Sequence, residues 1–436
     1  MTSPGPVSQA RRGLILAAPA SGAGKTTVTL GILRALTQRR VSVCGAKSGP
    51  DYIDPRFHEA ACGRPCFNLD AWAMTPGRLA SLAAGDEGLL LIEGAMGLFD
   101  GAPPDGRGAS ADIARTLRLP VVLVVDAART AQSVAPLVAG FAGHDAQVKI
   151  AGVILNNVAS PRHEAMLRGA LARSDRPVLG AIPRLAGLAH PSRHLGLVQA
   201  EERSDLGDFL DRAAEVVETH VDLDAVFAMA SPLPPLDGQA TRQSPPPAQH
   251  IAIARDAGFA FAYPHQLADW RAAGAELSFF SPLADQPPAP DAGLIFLPGG
   301  YPELFAGQLA AAARFRQGMQ DAARKKTPIY GECGGYMVLG EGLEDAAGAR
   351  HEMLGLLALE TSFASRRLHL GYRSLTALGG PFAGDFSGHE FHYARTLRAE
   401  GAPLFKARDA EGQRLADMGL RKGAVCGSFA HLIDRA

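Results

Sequence analysis

The chain has 436 residues, 47% hydrophobic and 20% charged, with 43 Lys plus Arg against 44 Asp plus Glu. At roughly 150 residues per domain this length suggests about three domains with sizeable cores. The balanced charge gives no reason to expect nucleic acid or an anionic membrane surface as a partner, and no stretch approaches the ~18 apolar residues of a membrane span.

The first element imitates a weak signal peptide, since "RRGLILAAPASGAG" joins two arginines, an apolar run and small residues. The run is short and "GKTT" follows at once, so residues 13–18 read as a buried strand feeding a phosphate loop. Further strands are expected at 41–47, 88–95, 120–127, 149–158 and 177–183, mostly separated by segments long enough for crossover helices. Continuous apolar strands with crossovers imply a parallel sheet covered on both faces. Residues 199–218 read as a closing helix, and 231–249, rich in proline, glycine and glutamine, as a linker. A second strand series falls at 250–256, 276–282, 293–300 and 327–333. The expected organisation is α/β: domains 1–232 and 250–436 around a linker at 233–249, each a mainly parallel sheet with helices on both faces.

Within "APASGAGKTT", Gly24, Lys25 and Thr26 fit the P-loop pattern, although Pro19 stands where its first glycine belongs. Gly22 and Gly24 let the backbone curl round phosphate oxygens, and Thr27 continues the run into a helix whose free N–H groups attract anions. Lys25 is expected on the β/γ-phosphates and the Thr26 hydroxyl on Mg²⁺. "KSGPDYIDP" places Lys47, Asp51 and Asp54 after the second strand, at the sheet end where open α/β folds bind ligands. In "LLLIEGAMGLFDG", Glu93 follows four apolar residues; a carboxylate there is costly to bury unpaired and suits a Mg²⁺ ligand. Asp100 reads as its companion or as a former of the glycine turn. Asp126 shares that ambiguity, and Asn156 and Asn157 either read an adenine edge or form a plain strand-end turn.

In "TPIYGECGGYM" a strand reaches Cys333 and two glycines before a helical pattern, the layout of a nucleophile elbow. A helix N-terminus is expected to lower the thiol pKa. The Gly299–Gly300 amides of "LPGGYPELF" can form an oxyanion hole with the Gly334 amide. The base would be a histidine, from His389, His392 or His431, with His431 foremost because it follows the apolar strand "AVCGSFA". Cys44 and Cys426 lie in apolar strands. Cys62 and Cys66 are too few for a metal site. An odd, scattered set of five cysteines suits a reducing cytoplasm.

Together these motifs resemble the cobyrinic acid and hydrogenobyrinic acid a,c-diamide synthase family, whose amidoligase half is similar to dethiobiotin synthetase and whose second half is a class I glutaminase. "APASGAGKTT", "KSGPDYIDP", "EGAMGLFDG" and "HLGL" carry the first half; "LPGGYPEL", "YGECGGYM", "GHEFHY" and "GSFAHL" carry the second. The resemblance implies ATP- and glutamine-dependent amidation of two corrin acetates, in which ATP makes an acyl phosphate and the glutaminase supplies ammonia. It gives nucleotide and Mg²⁺ roles to Lys25, Thr26 and Glu93, and looser metal or substrate roles to Asp51, Lys47, Asp54 and Asp100. It makes Cys333 the nucleophile and His431 the base. ATP, glutamine and a corrin carboxylic acid are the implied small-molecule partners, with Mg²⁺, and a homodimer is admitted. Class I glutaminases usually place glutamate two residues after the histidine; here Ile433 stands there and Asp434 has the wrong spacing, which leaves open what orients His431. Alternatives are another tetrapyrrole amidase, such as cobyric acid synthase or nickel-sirohydrochlorin a,c-diamide synthase, and a P-loop switch carrying a degenerate glutaminase-like binding module.

Overall fold

The computed structural model describes residues 11–85, 88–185, 199–200, 203, 205–235 and 245–436. The "HLGL" motif at 194–197 lies outside the described residues, as do linker residues 236–244. The chain divides into two compact units, residues 1–241 and 242–436. Among the described residues no helix is long and apolar enough to cross a membrane.

The first unit alternates strand and helix: β1 (Arg12–Ala17), α1 (Lys25–Gln38), β2 (Val43–Ser48), α2 (Asp54–Cys62), β3 (Phe67–Leu69), α3 (Pro76–Ala83), β4 (Leu89–Glu93) and α4 (Ser110–Leu117). It continues with β5 (Val121–Asp126), α5 (Val134–His144), β6 (Ile150–Val158), α6 (Pro161–Leu171), β7 (Val178–Pro183), α7 (Leu206–His220), α8 (Leu223–Met229) and β8 (Ser231–Pro232). The strands order as β3-β2-β4-β1-β5-β6-β7, all parallel, while β8 pairs antiparallel with β1. Runs such as "VVLVVD" are buried almost throughout because helices cover both faces. β1 lies between β4 and β5, so the chain builds one side of the sheet and then crosses to the other. The loop after β1 opens at that reversal, where such sheets bind ligands. The closing helix starts at Leu206, later than the sequence suggests, and the short edge strand β3 and the helix α8 were not anticipated.

The second unit starts with β9 (His250–Ala254), α9 (Pro264–Ala272), β10 (Glu276–Phe280), β11 (Leu294–Leu297), α10 (Ala306–Ala311), α11 (Ala313–Arg324), β12 (Ile329–Glu332) and α12 (Gly334–Leu339). Strands then dominate: β13 (Gly342–Glu344), β14 (Arg350–Glu352), β15 (Ala358–Ser362), β16 (His369–Ala377), β17 (Asp385–His392), β18 (Arg395–Glu400), β19 (Phe405–Arg408), β20 (Leu420–Lys422), β21 (Val425–Ser428) and β22 (His431–Arg435). A six-stranded sheet, β10-β9-β11-β12-β21-β20, is parallel except for β20. Two four-stranded sheets accompany it, β14-β13-β15-β18 and the wholly antiparallel β19-β16-β17-β22. The mainly parallel description therefore covers the six-stranded sheet alone. β16 is largely exposed or half-buried, and β17 is buried but reads DFSGHEFH, so neither carries the apolar run that reveals a buried strand.

Candidate active sites

In the first unit, β1 delivers the chain into a loop that only glycine closes. Gly22 and Gly24 adopt φ of 80° and 87°, which L side chains rarely adopt. An added Cβ on Gly24 would lie 2.2 Å from Asn156 Nδ2. That amide donates to the Ala23 carbonyl at 2.9 Å, so Asn156 buttresses the loop. Asn157 instead donates to Asp126 at the exposed surface. Lys25 opens α1 and donates Nζ to the Met96 carbonyl at 2.5 Å. Burial and the neighbouring Lys47 charge lower its pKa, with Glu93, Asp54 and Asp100 opposing.

Four elements converge on a buried charge cluster beside this loop. Thr26 donates its hydroxyl to Glu93 Oε1 at 2.6 Å, and Lys47 Nζ donates to Glu93 Oε1 at 2.9 Å and to Asp54 Oδ2 at 2.6 Å. His58 Nε2 meets Glu93 Oε2 at 2.6 Å, with Cys66 Sγ 3.3 Å from its Nδ1. Burial alone would raise the Glu93 pKa, but Lys47, His58 and Thr26 outweigh it and hold the carboxyl well below the usual range. The same ion pairs overcome burial at Lys47 and raise its pKa. Asp51 behaves differently: burial, with Asp54 next, pushes it up to about 6 against Lys47 and the Ile53 and Asp54 amides that its Oδ1 accepts.

These groups line a cleft of ≈ 660 Å³ that includes Gly22, Gly24, Lys25, Thr26, Asp51 and Glu93. Mg²⁺ prefers oxygen donors and keeps several waters. The Thr26 hydroxyl and the Glu93 and Asp51 carboxylates form such an oxygen set, so the residues fit the ion. Lys47 is held between Asp54 and Glu93. Asp100 accepts from the Gly97 amide at 2.9 Å and shapes that turn; it does not line the cleft, although its charge reaches Lys25.

In the second unit, β12 ends at Glu332 and α12 begins at Gly334. Cys333 between them has φ 46° and ψ −107°, a strained conformation that turns the side chain out of the strand line. Its amide donates to the Ser428 carbonyl at 2.8 Å. An added Cβ on Gly334 would lie 3.1 Å from Gly300 N, so these two backbones approach as only glycine permits. An added Cβ on Gly299 would sit 2.9 Å from His431 Nε2 and 3.2 Å from Cys333 Cβ, which places the histidine ring and the cysteine around one small space. His389 pairs with His431 across β17 and β22, and its pKa is lowered to about 3 by burial and then by His431.

The thiol pKa runs against the sequence expectation. Burial, then the charges of Glu303, Glu390 and Glu332, raise it, and the Gly334 amide opposes only in part. The six-residue helix α12 cannot offset the removal of the sulfur from water. The resting group is a thiol, so reaction requires a base that removes its proton.

Two neighbours were not singled out in the sequence. Glu303 follows the "PGG" turn, and burial pushes it up to about 7 against the charge of Arg366. Glu332 lies with its Oε2 3.5 Å from His431 Nδ1, both side chains buried. Among the described residues, His369, Glu390 and His392 alone group as metal ligands. Arg373 already neutralises Glu390 at 2.7 Å, so this group reads as an ion-pair network. All five cysteines are free and buried.

Residues 14–198 match the family described as the CobQ/CobB/MinD/ParA nucleotide binding domain, and residues 250–435 match the CobB/CobQ-like glutamine amidotransferase domain. Over 430 residues the chain is 57% identical to the hydrogenobyrinate a,c-diamide synthase of Brucella suis, covering 97% of this chain and 98% of that protein. A synthase of the same name from a Sinorhizobium species is 56% identical over 431 residues, covering 97% and 99%. That of Rhodobacter capsulatus is 54% identical over 439 residues, covering 98% and 100%.

Proposed function

The chain belongs to the hydrogenobyrinate a,c-diamide synthase family of glutamine-dependent amidating ligases, and from that membership we propose that it amidates the a and c acetates of hydrogenobyrinate, the metal-free corrin. The first unit is the ATP-dependent amidoligase and the second the glutaminase. The observation that carries this reading is the pairing, in one chain, of a phosphate loop against a Lys–Glu–Asp cluster with a strained cysteine beside a histidine.

A carboxylate does not exchange oxygen for nitrogen unaided, because its oxygen is a poor leaving group. In the first unit a corrin acetate oxygen attacks the γ-phosphorus of ATP, ADP departs and an acyl phosphate forms. Ammonia then attacks the acyl carbon and inorganic phosphate leaves. Lys25 and the loop amides hold the transferring phosphoryl group, and Lys47 keeps Glu93 ionised beside it and pairs with Asp54. Thr26, Glu93 and Asp51 would hold Mg²⁺, which supplies positive charge to the phosphate oxygens when bound with ATP.

In the second unit His431 takes the Cys333 proton as sulfur attacks the glutamine carboxamide carbon. The Gly300 and Gly334 amides stabilise the oxyanion. Ammonia leaves with a proton from His431, and water hydrolyses the thioester to glutamate. Five free, buried cysteines support a cytoplasmic setting.

The test is incubation of the full chain with Mg-ATP, glutamine and either hydrogenobyrinate or its cobalt-containing counterpart, with products weighed by mass spectrometry. The diamide of the metal-free ring is expected to dominate. Absence of amide from both rings, or faster amidation of the cobalt ring, overturns the substrate assignment.

A further inference from the structure

The second unit brings an acid to the histidine although the position two residues after His431 is Ile433. Glu332 is the last residue of β12 and directly precedes the nucleophile. Its register partner is Ser428 on β21, three residues before His431, so the sheet fixes the two side chains together. Oε1 accepts from the Leu432 amide at 3.0 Å and from the Tyr330 hydroxyl at 3.0 Å. Those two donors set the plane of the carboxylate and direct Oε2 toward His431 Nδ1, 3.5 Å away, with the side chains 2% and 0% exposed. Asp434, the nearest acid in sequence, accepts from the Arg435 amide instead.

We infer that Glu332 is the positioning residue of the glutaminase site, holding the His431 proton on Nδ1 so that Nε2 can accept from Cys333. The 3.5 Å separation is at ion-pair range, and catalytic hydrogen bonds are often long before substrate binds. A carboxylate in this position also stabilises the imidazolium formed when the thiol gives up its proton. Glu332, Cys333 and His389 are among the groups facing His431; burial keeps His389 neutral near pH 7, so it adds no charge. The usual acid at the second position after the histidine is thus replaced by one immediately before the cysteine.

The inference rests on the glutaminase reading of Cys333, and the experiment separates the two. Glu332→Gln keeps the oxygen that Leu432 and Tyr330 require but presents an N–H₂ to Nδ1. His431 then holds its proton on Nε2, where it cannot serve as base. Glutamine-supported amidation and glutamine hydrolysis should fall on the order of 10²- to 10³-fold in kcat, with KM for glutamine within about threefold of wild type. Amidation from ammonium salts, performed in the first unit, should persist. Glu332→Asp should recover part of the loss. The ¹⁵N shifts of the His431 ring, assigned by difference with His431→Gln, should change from the Nδ1–H to the Nε2–H pattern in Glu332→Gln. Wild-type kcat and an unchanged tautomer in Glu332→Gln overturn the inference, provided that Cys333→Ser has lost glutamine-supported amidation. If folded Cys333→Ser retains it, the glutaminase reading itself falls.

Discussion

Thr26 and Glu93, 67 positions apart, meet at 2.6 Å with the hydroxyl donating to the carboxylate. One residue opens the helix of the phosphate loop and the other ends a buried strand, so their contact joins the two halves of the proposed Mg-ATP site. Thr26→Val keeps the side-chain volume and leaves Glu93 with Lys47 and His58. Amidation should fall on the order of 10²-fold or more with either glutamine or ammonium as donor, and more Mg²⁺ should be needed for half-maximal rate. A normal ammonium-supported rate would contradict the assignment.

Lys47 is the counter-charge for two buried carboxylates, Asp54 and Glu93. Lys47→Met leaves both without it, a change that costs about 3–5 kcal/mol. For a unit of this size the melting temperature should drop by roughly 10 °C. Without Lys47, the burial that raises the Glu93 carboxyl loses its largest opponent. The deficit should therefore shrink as pH falls from 8 toward 5 and grow as it rises, and thermal melts across that range check the sign.

The two carboxylates that end buried strands show where the sequence was legible. "LLLIE" and "TPIYGE" have the same form, an apolar run closed by glutamate, and the physical argument that singled out Glu93 applies equally to Glu332. Glu332 is masked in the sequence because it abuts the cysteine and lies 99 positions before His431, far from the usual place of the acid. The parallel sheets and the phosphate loop could be read because continuous apolar strands and positive-φ glycines leave strong local signals. The antiparallel sheets could not, since β16 through β19 carry mixed polarity. The buttress from Asn156 to Ala23 also needed the fold, because no spacing relates them. The thiol pKa departs from the helix-terminus expectation because burial, and then the glutamates that the fold brings to it, outweigh the helix.

Glu303 offers a pH test of that environment. Burial pushes its carboxyl up to about 7, and among the described residues its buried Oε1 has no hydrogen-bond partner. The folded state therefore holds a proton that the unfolded chain releases near pH 4.3, so this group removes stability as pH rises from there through about 7. Above that pH its charge faces Cys333 and disfavours thiolate. Glu303→Gln should flatten the stability loss and speed iodoacetamide labelling of Cys333 at pH 8 by about 3- to 10-fold. Peptide mapping identifies the labelled cysteine, and an unchanged labelling rate would refute the electrostatic cause.

Gly299 is constrained by space rather than by φ. A methyl there would lie 2.3 Å from His431 Cε1. Gly299→Ala should displace the ring from Cys333 and reduce glutamine-supported amidation on the order of 10²-fold, since small misplacements of a base cost that much. Ammonium-supported amidation should stay intact. Equal loss with both donors would point to misfolding rather than to the histidine.

On the proposed mechanism the first unit activates a carboxylate by phosphorylation. A hydrogenobyrinate labelled with ¹⁸O in its acetate carboxylates, incubated with the enzyme, Mg-ATP and glutamine, tests it directly. One labelled oxygen should appear in inorganic phosphate for each amide formed, because the acetate oxygen departs with the phosphoryl group. Phosphate that acquires label only from ¹⁸O-labelled water would mean that ATP is simply hydrolysed, and would contradict the acyl-phosphate mechanism.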